Sequence, residues 1–581
     1  MENSNQKLDL AFNFALDTQG EADSRWRVIV KYYGDLDIIL SGIRGVEYTG
    51  LFNNYAVVSV PASELGTLAD AQGIIYVEKP REVYYNVNNG RAASCINPVQ
   101  ESSGITGGAA GLKGNGVLVA IIDSGIDYTH PGFRNSDGTT RILYLWDQTA
   151  SGENSYGRIP AGYMQGAEYS KEDIDEALAQ PDIASSLKIV PVSDRGSGHG
   201  TAVAGVAAGN GASSPGGRYR GVAPESSLII VKLGKQGSSF ALTTEIIEAI
   251  DYVVRKSITL NMPVAINLSF GNNDGPHDGN SLFENYIADI KGIWKNVVVV
   301  ASGNEGDARH HSSIKLENGR SQMVSFAIAE NEISIQLQIW KQYQDSFRIN
   351  INAPDGSRID LNYQAGKADT YVAGNSRIVV FYGEPSPYTI SQGIFIQWMP
   401  VRDGQYIMPG VWDIGFEPVD IRYGIVNMWL PTIEVIGLST GFLSPSPDTT
   451  LTIPAAARNV ITVGAYNATT NSMASFSGRG NTTDGRYMPT LVAPGVDIIS
   501  AAPGGRYSSN TGTSIAAPFV TGSAALLMEW GIVRGNDAYL YGDKLKAYLI
   551  KGAKWLPGQQ GVDTQAGWGA LCLRDSLQIF T

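Results

Sequence analysis

Cysteine is almost absent from this chain: Cys95 and Cys572 are the only two in 581 residues. That excludes a small disulfide-stapled scaffold, and two thiols so far apart form no metal-type cluster. The reading they support is two free thiols in a reducing compartment; a single bridge between the two is the alternative, with nothing else in the sequence behind it. Histidine is scarce as well, at positions 130, 199, 277, 310 and 311. No H-E-x-x-H occurs, which disfavours a zinc hydrolase. Positive charge is in deficit, with 43 Lys and Arg against 56 Asp and Glu and a net charge of −13. With no basic run, nucleic acid is not an expected partner. No apolar run is expected to span a membrane. Met1 to Leu10 lacks a basic stretch followed by an apolar one, so no secretory signal is expected. No P-loop occurs, and the glycines at 111, 114 and 116 precede a strand instead of joining a strand to a helix, so the dinucleotide fingerprint fails too.

What is present is a large apolar fraction, 43%, and 67 glycines, the composition of a globular protein with many tight turns. The length argues for more than one domain. After a polar tail with apolar residues at Leu8, Leu10, Ala11, Phe14 and Ala15, a small α+β unit follows. Trp26–Tyr33, Tyr55–Val60 and Ile74–Glu78 read as strands, and Ala62–Ala71 as a helix between Pro61 and Gly73. Asn88–Ser94 is small and polar, as an accessible linker should be.

The runs Val117–Ile122, Leu228–Val231, Val264–Leu268 and Val297–Val300 are continuous and aliphatic. Strands that do not alternate are covered on both faces, which is the mark of a parallel sheet between helices. Thr243–Arg255 reads as one such helix, and Lys171–Ala179 as another, with Ser170 and Asp173 spaced as a capping box. The predicted fold class is therefore α/β. Beyond Asn304 the period changes. Ile333–Ile339 and Phe347–Asn352 alternate, the latter ending in an Ala353-Pro354-Asp355-Gly356 turn, and Ile394–Trp398 adds a further strand. Alternation at period two predicts an inserted antiparallel domain, a sandwich or jelly roll, before the core resumes at Val460–Ala465.

Three stretches carry chemistry: Ile121-Ile122-Asp123-Ser124-Gly125, Gly198-His199-Gly200-Thr201 and Gly512-Thr513-Ser514-Ile515-Ala516-Ala517-Pro518. They supply a carboxylate, an imidazole and a hydroxyl at the edges of predicted core elements. A serine hydroxyl is a poor nucleophile until a base takes its proton, and that base must be held in one tautomer. Asp123 ends a strand, where open α/β sheets bind ligands. Ser514 heads a helix, whose N-terminal field favours developing negative charge.

The order Asp, His, Ser with these neighbours resembles the subtilisin-like serine proteases. The resemblance implies that His199 is the base, Asp123 its orienting acid and Ser514 the nucleophile. It makes Asn304, in Ala301-Ser302-Gly303-Asn304-Glu305-Gly306, the oxyanion donor together with the Ser514 N–H. It places an extended protein or peptide substrate along Ser269-Phe270-Gly271 and Ala301-Ser302-Gly303. Glu305 either tunes that pocket or is a solvated carboxylate. Asp127 and His130 are expected as loop or helix-start residues, and His310 and His311 on the surface. Members often bind calcium after the His helix, but Gly209–Gly217 has no carboxylate, so no metal is expected there and no cofactor overall. Ala202 and Phe519 stand where members often carry His.

The layout implied is a tail and propeptide over 1–96, catalytic segments over 97–311 and 448–581, and the inserted β domain over 312–447, with the propeptide cut in 85–96. A large insertion and no signal resemble the Csp germination proteases of spore-forming clostridia. This implies a monomeric bacterial protein, cytoplasmic or spore-associated unless released, with its own propeptide bound after cleavage. Three readings follow: an active, self-processed endopeptidase; a non-catalytic binding or sensing relative; or a latent enzyme with the propeptide in its cleft. Retention of all three triad residues argues against the second.

Overall fold

The computed structural model describes residues 25–78, 86–101, 111–150, 156–234, 241–363 and 366–578. The expected tail helix around Leu8–Ala15 lies outside them. The chain forms two compact units, Met1–Tyr84 and Tyr85–Thr581. The helix Asn86–Ala93 belongs to the larger unit, where Gly90 lies against the ring of Phe519.

The smaller unit is a four-stranded antiparallel sheet in the order Glu47–Leu51, Tyr55–Pro61, Arg25–Tyr32, Ile74–Glu78. Val28, Val30, Val58 and Val60 line one face at period two and meet Leu36, Leu40, Leu65 and Leu68 from the helical segments. The strand Glu47–Leu51 and the helix Leu36–Leu40 escaped sequence reading. The strand is fully exposed on its own residues, so it shows no buried alternation. The helix is short and is started by Asp35, whose carboxylate accepts from the N–H groups of Asp37 and Ile38.

In the larger unit the four aliphatic runs become the adjacent centre of a nine-stranded sheet. They run Asn296–Ala301, Val264–Leu268, Leu118–Asp123, Ser227–Lys232, all parallel. Ile461–Asn467 and Leu491–Pro494 extend one side in parallel. Ile142–Asp147 and the antiparallel Ala167–Ser170 extend the other, which accounts for the long interval between Asp123 and His199. Leu118–Asp123 shows why such strands do not alternate. Leu118, Ala120 and Ile122 pack with Ile246, Ile250 and Val253 of the helix Thr243–Thr259. Val119 and Ile121 pack with Val203 of the helix His199–Ala208 and with Ile515 and Val520 of the helix Thr513–Met528. From Leu118 to Ile122 every residue on both faces is apolar because both faces are covered.

The helical stretch Thr513–Val533 is long and apolar enough to cross a membrane by length and composition, contrary to the sequence expectation. It is the central helix of this core, with 94% of its most apolar window buried inside the protein. An α/β core helix surrounded on all sides is hydrophobic all round for the same reason a lipid-facing one is.

The insertion is a pair of antiparallel sheets. One has six strands from His311–Lys315 to Ser391–Pro400 and Ile425–Trp429; the other has five, centred on Ser346–Asn352 and Gly410–Asp420. Trp398, Trp412, Phe326 and Phe416 are buried together between them. The turn at Ala353–Gly356 forms as read, closed by the Gly356 N–H on the Ala353 carbonyl at 2.9 Å with Gly356 at φ +86°.

The cysteines correct the expectation of free thiols. Cys95 and Cys572 are disulfide-bonded, with Cα atoms 4.8 Å apart. The Leu573 N–H donates to the Ser94 carbonyl at 3.0 Å, so the segment after Ala93 runs beside the start of the C-terminal helix Leu573–Gln578. Separation along the chain carries no information about this pairing, since it is set by where the two ends of the larger unit dock.

Candidate active site

Asp123 is the last residue of its strand, and Gly125 takes a positive φ of +118° as the chain leaves the sheet. Asp123 Oδ1 accepts from the Ser124 N–H at 2.7 Å and faces His199 Nδ1 at 2.7 Å. The carboxylate is 4% exposed; the imidazole is half-buried. The adjacent Asp123 charge holds the imidazole in its protonated form and raises its pKa to about 9, against the opposing effect of burial, with a smaller contribution from Asp194.

His199 opens the helix His199–Ala208 behind Gly198, which sits at φ +73°. The helix lies so close to the Asp123 loop that a Cβ on Gly200 would be 2.2 Å from the Gly125 carbonyl oxygen. A second carboxylate, Asp194, fastens the two segments. Its Oδ1 accepts from Ser124 Oγ at 2.8 Å, and its Oδ2 accepts from the Thr201 N–H at 2.8 Å and Thr201 Oγ1 at 2.7 Å. Ser124 Oγ in turn accepts from the Gly200 N–H at 2.9 Å. Sequence reading missed Asp194. The only signal was an acid five positions ahead of His199, which by itself reads as a solvated loop residue; the structure buries it at 2% exposure.

Ser514 stands in the first turn of the helix Thr513–Met528. Pro518 lies four residues on and has no N–H to give the Ser514 carbonyl. That carbonyl accepts from Ser269 Oγ at 3.1 Å instead, and Ser269 Oγ is itself held by Asn267 Nδ2 at 2.8 Å. Ser269, expected along a substrate edge, thus supports the backbone of Ser514. Gly512 precedes the helix at φ +153°; a Cβ there would be 3.1 Å from Ser514 Oγ and 3.8 Å from Asn304 Nδ2. Ser514 and Asn304 therefore converge on one small space. Asn304 Oδ1 accepts from both the Thr513 N–H, at 3.1 Å, and Thr513 Oγ1, at 3.0 Å. These two donors assign the amide's orientation and leave Nδ2 as a donor.

The other expected wall behaves differently from a free strand edge. The Ser302 N–H donates to Val463 O at 2.9 Å, and its carbonyl accepts from the Thr452 N–H at 3.0 Å. The Gly303 N–H donates to Thr513 Oγ1 at 3.2 Å, and its carbonyl accepts from the Gly478 N–H at 2.8 Å. Ser302 and Gly303 are already engaged within the protein, while Ala301 is buried at the end of its strand. Phe270 is packed against the core cluster beside it.

His310 and His311 correct a second expectation: they are 1% and 2% exposed, not on the surface. His310 Nδ1 faces Glu305 Oε2 at 2.8 Å, so Glu305 is neither a pocket charge nor a solvated carboxylate. His311 and His277 both stack against the Trp429 ring, with centroids 4.7 and 4.1 Å away. Burial presses both imidazoles down to about 4. Asp127 and His130 are buried turn anchors. Asp127 Oδ2 accepts from the Gly504 N–H at 2.7 Å, and His130 Nδ1 from the Gly132 N–H at 2.9 Å. Among the described residues no group of three or more His, Cys, Asp or Glu could hold a metal ion.

Residues 114–375 and 439–569 match the subtilase family. The chain belongs to the subtilase family. Residues 5–81 of this subtilase match the Csp protease B prodomain. The solved structure of the Clostridium perfringens CspB protease superposes with a TM-score of 0.75 at 35% identity, covering 85% of this chain and 97% of that one. Together these make the protein a Csp-type subtilase. Its curated relatives include the major intracellular serine protease of Bacillus subtilis (strain 168), 31% identical over 229 residues, which are 39% of this chain and 51% of the relative. The PII-type proteinase of Lactococcus lactis subsp. cremoris is 23% identical over 75% of this chain and 24% of its own length. The subtilase thus spans about half or less of the length of these curated relatives.

Proposed function

We propose that this subtilase is a serine endopeptidase working by acyl transfer through Asp123, His199 and Ser514. The observation that carries the reading is the 2.7 Å contact between Asp123 Oδ1 and His199 Nδ1; the convergence of Ser514 Oγ and Asn304 Nδ2 at Gly512 supports it separately. With Nδ1–H directed at Asp123, neutral His199 keeps Nε2 as the base. It takes the Ser514 proton as the hydroxyl attacks a peptide carbonyl. The negative oxygen of the tetrahedral intermediate accepts from Asn304 Nδ2 and the Ser514 N–H. His199, now cationic against Asp123, returns the proton to the leaving amine, and a water repeats the sequence on the acyl-enzyme.

The substrate is a protein or peptide, laid along Ser269–Gly271, with Ala301–Gly303 as the wall of the pocket for the residue before the cut. The N-terminal unit is a propeptide removed by the enzyme itself within Tyr85–Ile96. The match to the Csp prodomain favours a second reading in which the cut propeptide remains bound and keeps the enzyme latent.

A fluorophosphonate probe tests the first reading. Wild type is labelled and Ser514→Ala is not; failure to label wild type after removal of the propeptide without denaturant refutes it. Gel filtration separates the second. Fragments cut between Tyr85 and Ile96 that co-elute support latency, and a mature chain eluting alone counts against it.

A further inference from the structure

Away from Ser514 the larger unit has a crevice of about 490 Å³ whose lining includes Lys113, Arg134, Arg141, Asn210, Arg220 and Glu225. Four cations around one carboxylate are out of keeping with a chain of net charge −13. Two of the cations are paired: Lys113 Nζ with Glu225 at 2.9 Å, and Arg220 Nη2 with Glu101 at 3.9 Å. Arg134 and Arg141 have no acidic partner among the described residues and hold only backbone carbonyls. Arg134 Nη2 donates to Thr129 O at 2.5 Å; Arg141 donates to Ser226 O at 2.8 Å, Gly132 O at 2.7 Å and Ala208 O at 2.6 Å.

The hydrogen bonds point the same way. The Nε–H groups of Arg134, Arg141 and Arg220 are all buried without a partner among the described residues, and all three side chains line this one crevice. A buried guanidinium with an unmet donor is costly unless a charge or acceptor answers it. Arg141, 6% exposed and pinned through both terminal nitrogens, is held rigidly in place. Asn210 closes the wall, its side-chain amide donating to the Arg134 carbonyl at 2.7 Å. Burial pushes the Arg141 guanidinium down to about 10, and the nearby Glu225 charge offsets this only in part.

We infer that this crevice is a binding site for a small polyanion with phosphate or carboxylate oxygens, held by the Arg134, Arg141 and Arg220 guanidinium groups. The two unpaired cations match a dianion in charge. The site reaches the catalytic half of the molecule through Arg141, which holds the Ala208 carbonyl at the far end of the helix that His199 opens. The inference does not depend on the protease reading.

Calorimetric titration of the full chain with inorganic pyrophosphate, at ionic strength fixed with sodium chloride, tests it. One saturable site per chain is expected, weakened at least tenfold in Arg134→Gln. Arg141→Gln also removes three carbonyl contacts and can compromise folding, so the half-buried Arg134 is the deciding variant. Citrate competing for the site assigns it to oxyanions in general; pyrophosphate that citrate does not displace assigns it to phosphates. Absence of saturable binding, or equal affinity in Arg134→Gln, overturns the inference.

Discussion

Glu305 Oε2 and His310 Nδ1 lie 2.8 Å apart where neither side chain exceeds 3% exposure, one residue beyond Asn304. The other carboxylate oxygen accepts from the Ile433 N–H at 3.0 Å, and His310 Nε2 faces the carbonyls of Gly437, at 3.0 Å, and Thr440, at 3.2 Å. The pair therefore ties the loop carrying Asn304 to both the entry and the exit of the inserted sheets. Each ring nitrogen of His310 meets only acceptors, so removing either partner strands buried polar groups. His310→Ala is expected to lower unfolding free energy by about 3–5 kcal/mol, the range for breaking a buried pair. Urea unfolding measures this. In the same variant kcat should fall while KM changes little, because Asn304 is asked to act only on the intermediate.

The raised pKa of His199 has two opposite consequences. The base must be neutral, so kcat/KM of the mature enzyme should climb with pH along a limb centred near 9, not near the unperturbed 6.5. Stability runs the other way. A group whose folded pKa exceeds its unfolded value stabilises fully below the unfolded value, and that contribution is lost as pH rises from about 6.5 through about 9. Asp123→Asn removes the largest cause of the shift and should move the acid limb to lower pH while lowering the maximal rate. A pH profile of both proteins checks this; a limb that stays in place in Asp123→Asn would show that another group sets it.

Much of this site was legible because each part sits in a short local signature. Asp123 follows an aliphatic run, His199 and Ser514 each start a run of small residues, and Asn304 stands between glycines. The parallel core was legible for a related reason: Leu118–Ile122 is apolar on both faces because both are covered. The relations that escaped reading are long-range and polar. Asp194 is an ordinary loop acid until folding sets it against Ser124 and Thr201. His310 read as a surface residue and Glu305 as a pocket or solvated charge, because only the return of the chain at Ile433–Thr440 supplies their further partners. Cys95 and Cys572 meet because the two ends of the larger unit dock side by side.

Close approach of the His199 helix to the Asp123 loop makes Gly200 a sensitive position. A Cβ at 2.2 Å from the Gly125 carbonyl oxygen meets backbone, which cannot rotate away. Gly200→Ala is expected to destabilise by about 1–3 kcal/mol, as overpacking does, and to separate His199 from Asp123. Activity should fall far more than stability, and the His199 titration should move to lower pH as the Asp123 charge recedes. NMR titration of the imidazole reports the second effect directly.

Asn304 Nδ2 is free to donate because Thr513 fills Oδ1. Asn304→Ala is expected to lower kcat by about 10²–10³, the cost of one oxyanion donor in a subtilisin. Thr513→Val should have a smaller effect of the same kind, since it releases the amide without deleting it. Steady-state kinetics on a peptide substrate separates the two, and a KM change without a kcat change in Asn304→Ala would remove the oxyanion role.

The last expectation concerns the support beneath Ser514. Pro518 cannot donate to the Ser514 carbonyl, so Ser269 Oγ is the group that satisfies it, at 3.1 Å. Ser269→Ala should leave that carbonyl without its side-chain donor and cost about 1–3 kcal/mol in stability. Replacing the proline restores an N–H four residues after Ser514, in position for the ordinary helical bond. Pro518→Ala should therefore recover part of the stability and activity lost in Ser269→Ala, while adding little to a chain that retains Ser269. A double-mutant cycle read by urea unfolding and kcat decides the matter: additive losses would mean that Ser269 acts through some contact other than the Ser514 carbonyl.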